Sequence, residues 1–313
     1  MNLIKPKFWD KKISFISLVL IPLSVIFFFV TYFKKKISKP ISFNIPIICV
    51  GNIYLGGTGK TPTSILLARE LSKLGKKTGI LRKYYKSHKD EHGLIKNSFK
   101  NLILNKDRII GLQKAEKLNF DIVILDDGLQ DYRIKKDLKI VCFNSSQLIG
   151  NGLMLPSGPL REGLVSLKDA NIIIINGEKN KFFENKILNI NKKLKIFYSN
   201  YKAINLNQFK NKKLLAVAAI GNPENFFQTL EKNNLKIRKK LIFPDHYNFS
   251  KKEIQKIKIE ADKNNYQIIM TEKDYFKVKD YKIKGINYLK VLLKITNKEK
   301  LIQIIKKSYG KNN

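Results

Sequence analysis

The sequence predicts an α/β chain: a doubly wound parallel sheet, a second and smaller α/β domain behind it, and an apolar helix in front. Three observations predict this class. Short continuous apolar runs such as IICVG, DIVIL, LKIVCF and NIIII alternate with amphipathic or polar stretches, as in parallel strands buried on both faces. A glycine-rich turn, GGTGKT at 56–61, joins the first run to a helical pattern. The strand and helix alternation starts afresh near Lys212.

The chain opens with Ile13 to Phe33, a stretch of 21 residues without a charge, flanked by Lys11-Lys12 and Lys34–Lys36. At ~1.5 Å per residue a helix there is roughly 31 Å long, enough for a bilayer core. Trp9, Tyr32 and Phe33 suit the membrane interfaces. The run is too long for a cleaved signal peptide, and no small-residue cleavage site follows. A membrane helix is expected within 1–40. Lysines flank both ends, so crossing the bilayer and lying in one leaflet both stay open.

Next comes VGNIYLGGTGKTP at 50–62. Gly56, Gly57, Thr58 and Gly59 let backbone N–H groups curl around an anion, and the following helix adds the positive end of its dipole. Lys60 is placed to reach β/γ-phosphates, and the Thr61 hydroxyl to take Mg²⁺. Pro62 fits the first helical turn, where its missing N–H costs little. The generic loop has Gly where this chain has Tyr54. Strand, turn and helix together predict a P-loop NTPase-type domain that takes a nucleoside triphosphate with Mg²⁺.

Thr78–Leu81 reads as a short strand, 82–100 as polar and irregular, Asn101–Asn105 as a strand and Asp107 to Leu118 as a helix. The strand Asp121–Leu125 ends in two carboxylates, Asp126 and Asp127. An apolar strand ending in Asp downstream of a phosphate loop is where a carboxylate holds Mg²⁺ directly or through water. Leu138–Phe143 and Ala170–Asn176 are further strands. Between them a Gly- and Pro-rich loop, GNGLMLPSGPLRE at 150–162, carries Arg161 and Glu162 as candidate ligand contacts. The nucleotide domain is expected over 41–196, a link over 197–211 and the smaller domain over 212–313. In that last part, Leu214–Ile220 and Tyr266–Met270 read as strands, and Asn222-Pro223 starts a helix. Ser250 and Glu253 have capping-box spacing.

The formal charge is +36, from 61 basic and 25 acidic residues. Such a surface favours anionic partners. The lysines are spread through the chain, which argues for an anionic membrane surface or a phosphorylated substrate and against nucleic acid. Six of the 61 basic residues are Arg. Where Lys is the default cation, a retained Arg marks a place for its planar fork, and Arg133 and Arg161 lie inside motifs. Cys49 and Cys142 sit in apolar runs and read as buried free thiols. No disulfide framework or metal spacing is present, consistent with a cytosolic catalytic part.

The ordered motifs VGNIYLGGTGKTP (50–62), DDGLQDYR (126–133), GNGLMLPSGPLRE (150–162), IGNPENFFQTL (220–230), FPDHYNF (243–249) and TEKD (271–274) resemble the tetraacyldisaccharide 4′-kinase family. The resemblance implies transfer of the ATP γ-phosphate to the 4′-hydroxyl of a tetraacyldisaccharide 1-phosphate in lipid A biosynthesis. It places the enzyme at the inner membrane, with its catalytic domains on the cytosolic face. By the same resemblance, Asp90 and His246 form a dyad that activates the sugar hydroxyl, with Asp90 on the first domain and His246 on the second. Lys83 and Tyr85 match substrate-contact positions. The chain departs from the family pattern at Asp131, where the family usually has His, and around Asp90, which stands in Lys89-Asp90-Glu91-His92. His88 and His92 read as solvated. Two other readings compete. One is a membrane-tethered P-loop ATPase without a small-molecule acceptor. The other is a basic membrane protein that binds nucleic acid.

Overall fold

A computed structural model of the chain describes residues 6–10, 13–86, 88–245 and 247–309. Lys11, Lys12 and His246 lie outside the described residues, as do the side chains of Lys89 and Asp90. Two helices come first, α1 (Phe15–Val19) and α2 (Ile21–Ile37). Then follow β1 (Ile47–Gly51), α3 (Lys60–Lys73), β2 (Thr78–Lys83), α4 (Lys89–Ser98), β3 (Leu102–Asn105), α5 (Arg108–Lys117) and β4 (Ile122–Asp126). Next are β5 (Leu138–Asn144), β6 (Ile172–Asn176), α6 (Lys181–Ile190), β7 (Lys195–Ala203) and β8 (Lys213–Ala218). The chain ends with α7 (Pro223–Lys232), β9 (Lys236–Ile242), α8 (Lys251–Lys263), β10 (Gln267–Thr271), α9 (Glu272–Val278), β11 (Ile286–Leu289), β12 (Val291–Ile295) and α10 (Lys298–Tyr309).

One sheet runs in the order β12-β7-β6-β5-β1-β4-β2-β3, and a second runs β11-β10-β8-β9. The ladders from β3 across to β7 are parallel. So are those of the second sheet. Every residue of β1, β4 and β6 is buried, whichever face of the large sheet its side chain takes. This explains their unbroken apolar runs. The strand order reverses at β1: β4 lies on one side and β5 on the other. A ligand site is expected at the carboxyl ends of the strands at such a switch point. Burial pushes the Cys49 and Cys142 thiols up to about 11 and about 12, so both are inert at neutral pH.

The chain divides into two compact units. One takes in Pro6–Tyr84, Phe99–Asn200 and Leu293–Asn313; the other holds Tyr85–Ser98 and Tyr201–Leu292. The division therefore differs from a split along the chain between 196 and 212. In particular α4, in a stretch expected to be irregular and to belong with the phosphate loop, is a helix grouped with the second sheet. Its sequence holds a Gly and few apolar residues, and packing supplies what propensity lacks. Ile95 is fully buried and His92 is buried rather than solvated. Gly93 lets the Phe276 ring of α9 come close; a Cβ there would stand 3.3 Å from it.

The amino-terminal segment corrects another expectation. Instead of one helix over Ile13–Phe33 there are two, broken at Leu20. Pro22 explains the break, since it can neither donate an N–H to the preceding turn nor clear its carbonyl. Among the described residues no helix is long and apolar enough to cross a membrane. The polarity of the pair is inverted. Ser17 and Ser24 face inward, while Phe15, Ile16, Val19, Leu23, Ile26, Phe29 and Val30 are exposed. Ser24 Oγ donates to Ser157 Oγ at 2.7 Å and accepts from the Ser157 N–H at 3.0 Å. Asn151 Nδ2 reaches Ser17 Oγ at 3.2 Å. Trp9, expected at a membrane interface, is buried and donates its indole N–H to Pro156 O at 3.0 Å. The Gly- and Pro-rich loop at 150–162 is thus the seat for these helices as well as the carrier of Arg161 and Glu162.

Candidate active site

The phosphate loop runs from β1 into α3. Gly59, at the amino-terminal cap of α3, has φ 87°, and Gly56 has φ 110°. Both are left-handed conformations that glycine adopts at little cost. Asn52 is fully buried and organises the loop, its amide N–H groups reaching Tyr54 O at 2.5 Å, Thr58 Oγ1 at 3.0 Å and Gly56 O at 3.2 Å. From β5, Asn144 Nδ2 donates to Gly57 O at 3.3 Å. Tyr54, the departure from the generic glycine pattern, is fully buried and donates its hydroxyl to Asp10 Oδ1 at 2.9 Å. The substitution anchors the loop instead of disturbing it. Gly51 permits the close approach of the Asp126–Gln130 turn, because a Cβ there would lie 2.6 Å from Leu129 Cβ.

The structure brings Lys60, Thr61, Asp126, Asp127, Arg161 and Glu162 into one cluster. Asp126 ends β4 and is fully buried. It accepts from Ser64 Oγ at 2.8 Å and Thr61 Oγ1 at 3.2 Å, and it pairs closely with Arg82. Asp127 has a left-handed backbone (φ 54°), which Asp tolerates better than most residues, and its amide bonds Val50 O at 2.9 Å. Its carboxylate lies 3.8 Å from Lys60 Nζ and 3.2 Å from Arg161 Nη1. Burial pushes the Asp127 carboxyl up, but Lys60, Arg161, Arg82 and Arg108 outweigh it and hold it well below the usual carboxylate range. Burial lowers the pKa of Lys60 against the opposing pull of Asp127. Glu162 is buried and accepts from Gln130 Nε2 at 2.8 Å, and Gln130 also bonds Asn52 O at 2.9 Å.

Arg82 and Arg108, which lie outside the quoted motifs, complete the cluster together with Arg133. Arg82 is buried against Asp126 and also bonds Thr61 Oγ1 at 3.3 Å. Arg108 donates to Asp127 O at 2.6 Å and lies 3.5 Å from Asp131. Arg133 bonds both Asp131 and Asp107 at 3.0 Å. Asp131 therefore works here as an acceptor that holds two guanidinium groups beside the Asp127 turn. Four of the six arginines meet at this cluster, so arginine scarcity was the usable signal. Lys83 ends β2 next to Arg82, and Tyr85 is exposed with its ring 5.0 Å from that of His88. Asp90 lies on α4, in the unit of the second sheet.

The buried Arg82–Asp126 pair predicts a stability effect. Removing one member of such a pair leaves the other charge buried, at a cost of about 3–5 kcal/mol. Ser64 and Thr61 still bond Asp126, so Arg82→Met should fall near the lower end, about 3 kcal/mol. Denaturant unfolding in detergent checks it, and a loss below ~1 kcal/mol would contradict the assignment.

Thr61 and Asp126 present a hydroxyl and a carboxylate side by side, with Asp127 next in the chain. An all-oxygen donor set of this kind fits a hard cation such as Mg²⁺ that keeps several waters.

Comparisons with known proteins agree with this geometry. The chain is 42% identical, across all of both chains, to a tetraacyldisaccharide 4′-kinase of Pelagibacter ubique. It is 34% identical, over 95% of each chain, to the enzyme of the same name from Rickettsia canadensis. The crystal structure of LpxK from Aquifex aeolicus, in complex with ATP, has the same fold, with a TM-score of 0.71 at 23% identity over 94% of this chain and 99% of that one. The family model for tetraacyldisaccharide-1-P 4′-kinase matches residues 16–309. With its phosphate loop, acidic pair and parallel sheet in place, the chain belongs to the tetraacyldisaccharide-1-P 4′-kinase family.

Proposed function

We propose that the chain transfers the γ-phosphate of ATP to the 4′-hydroxyl of a tetraacyldisaccharide 1-phosphate, a step of lipid A biosynthesis. The observation that carries this reading is the phosphate loop joined to the acidic pair, Lys60 to Asp127 and Thr61 to Asp126, in a chain related over its whole length to kinases of that name. Phosphoryl transfer needs positioning and charge neutralisation more than covalent chemistry. The loop amides and Lys60 bind the phosphates, with Lys60 exchanging its Asp127 contact for phosphate oxygens. Arg161 stays on Asp127 and keeps that carboxylate charged and in place. Thr61, Asp126 and Asp127 would hold Mg²⁺, which when bound offsets charge on the β- and γ-phosphates. His246 accepts the hydroxyl proton, and Asp90 orients its imidazole.

The acceptor carries four acyl chains and does not leave the bilayer readily. The exposed apolar face of α1 and α2 lies in the lipid at the cytosolic face of the inner membrane, with Lys34–Lys36 at anionic headgroups. Placing charges on that face, as in Leu23→Asp with Ile26→Asp, should lower partitioning into anionic vesicles by roughly 10²-fold or more. Flotation assays measure it, and unchanged flotation would show that the face does not enter lipid.

The functional test is ADP release in mixed micelles with and without the tetraacyldisaccharide 1-phosphate. Release that depends on the acceptor supports the kinase reading. Equal release without it supports a membrane-tethered ATPase.

A further inference from the structure

Residues Thr271 to Asp274 read Thr-Glu-Lys-Asp at the junction of β10 and α9. Two of them have evident local work. Thr271 caps α9, accepting from Asp274 N–H at 3.1 Å and donating its hydroxyl to Asp274 Oδ2 at 2.7 Å. Asp274 is fully buried and also accepts the Ala219 N–H at 2.8 Å, which ties the end of β8 to the start of α9. Lys277 meets its other oxygen at 2.8 Å. These contacts fix where the first turn of α9 begins.

Lys273 sits in that first turn, and capping does not require it. A cation there is at the wrong end of the helix dipole. Its partners account for the placement. Its Nζ lies 3.2 Å from Asp245 Oδ1 and 3.5 Å from Glu91 Oε1. Lys273 and Glu91 are each 17% exposed at the side chain, so the ammonium is only partly screened by water. Asp245 directly precedes His246, and Glu91 directly follows Asp90. One ammonium thus bridges the chain neighbours of both groups assigned above to activate the hydroxyl. The same helix, α9, also presses Phe276 against Gly93 of α4, two residues beyond Glu91. Helix α4 is therefore held on α9 by an apolar contact at Gly93 and by a charge contact at Glu91.

We infer that Lys273 is a positioning residue for the Asp90–His246 pair: its ammonium ties α4 and the 243–249 loop to the first turn of α9 and keeps the two groups in one register. The inference rests on the assignment of that pair given above. Without the ammonium, Asp245 and Glu91 lose the counter-ion they share, and the tie that it makes between their two segments is lost with it. Misplacing catalytic groups by about an ångström costs about 10²-fold in rate. The phosphate loop belongs to the other unit of the chain and keeps its own contacts.

The test is steady-state kinetics of Lys273→Met, Lys273→Arg, His246→Ala and the double variant His246→Ala/Lys273→Met in the full-length enzyme. Lys273→Met should lower kcat about 10- to 100-fold with KM for ATP within about twofold of the parent. Lys273→Arg should recover most of the loss. In the double variant the second change should cost at most about twofold beyond His246→Ala, because Lys273 acts through His246. A normal kcat in Lys273→Met, full multiplication of the two losses, or a loss confined to KM for the lipid overturns the inference and leaves the dyad standing. A silent His246→Ala overturns the dyad itself, and the role of Lys273 with it. If Lys273→Met does not fold, Lys273→Gln is held to the same pattern.

Discussion

Lys60→Ala should lose about 10²- to 10³-fold in kcat while the protein stays folded. The size follows from removing one preorganised charge donor aimed at the phosphates. Folding should survive because Asp127 keeps Arg161 at 3.2 Å and the nearby charges of Arg82 and Arg108. The Lys60 ammonium is held against burial chiefly by Asp127, so the fold gains little net stability from it. Initial rates on ATP and lipid acceptor, alongside a thermal melt, check both halves. Activity within threefold of the parent would remove Lys60 from the phosphate site.

His246→Ala should lower kcat by about 10²- to 10⁴-fold, the usual contribution of a positioned general base. ATP binding should be nearly unchanged, because Asn52 and Asn144 hold the phosphate loop in shape. A neutral imidazole near pH 7 suits the role of proton acceptor. Rates at saturating ATP, with nucleotide affinity measured separately, distinguish this from a binding defect. Equal turnover in the variant would mean that another group takes the proton.

What the sequence revealed and what it hid follow from how local each signal is. The phosphate loop was legible because strand, glycine turn and helix lie within one short segment. The same holds for the capping box of α8, where Ser250 and Glu253 bond each other's backbone as their spacing predicts. Arg82 was hidden because it meets Asp126 from 44 positions away. That pairing exists only because β2 lies beside β4 with Arg82 opposite Asp126. Helix α4 was hidden for a related reason: its order comes from packing on α9, not from its own residues. Strand β9, KIRKKLI, has no apolar run to betray it; at the edge of the second sheet its alternating charged positions stay exposed and discourage edge pairing. At the amino terminus, apolar length suggested one spanning helix. Pro22 and the inward-facing serines produce two shorter ones seated on the 150–162 loop.

The central claim is that the phosphate cluster serves transfer to a lipid hydroxyl. The most direct measurement follows the γ-phosphate itself: ATP labelled at that position, the tetraacyldisaccharide 1-phosphate in detergent micelles, and the parent enzyme beside Lys60→Ala. The expected result is label in the lipid as a phosphomonoester at the 4′-position, dependent on acceptor and nearly absent in the variant. Label recovered only as inorganic phosphate, at the same rate with and without the lipid, would contradict the account.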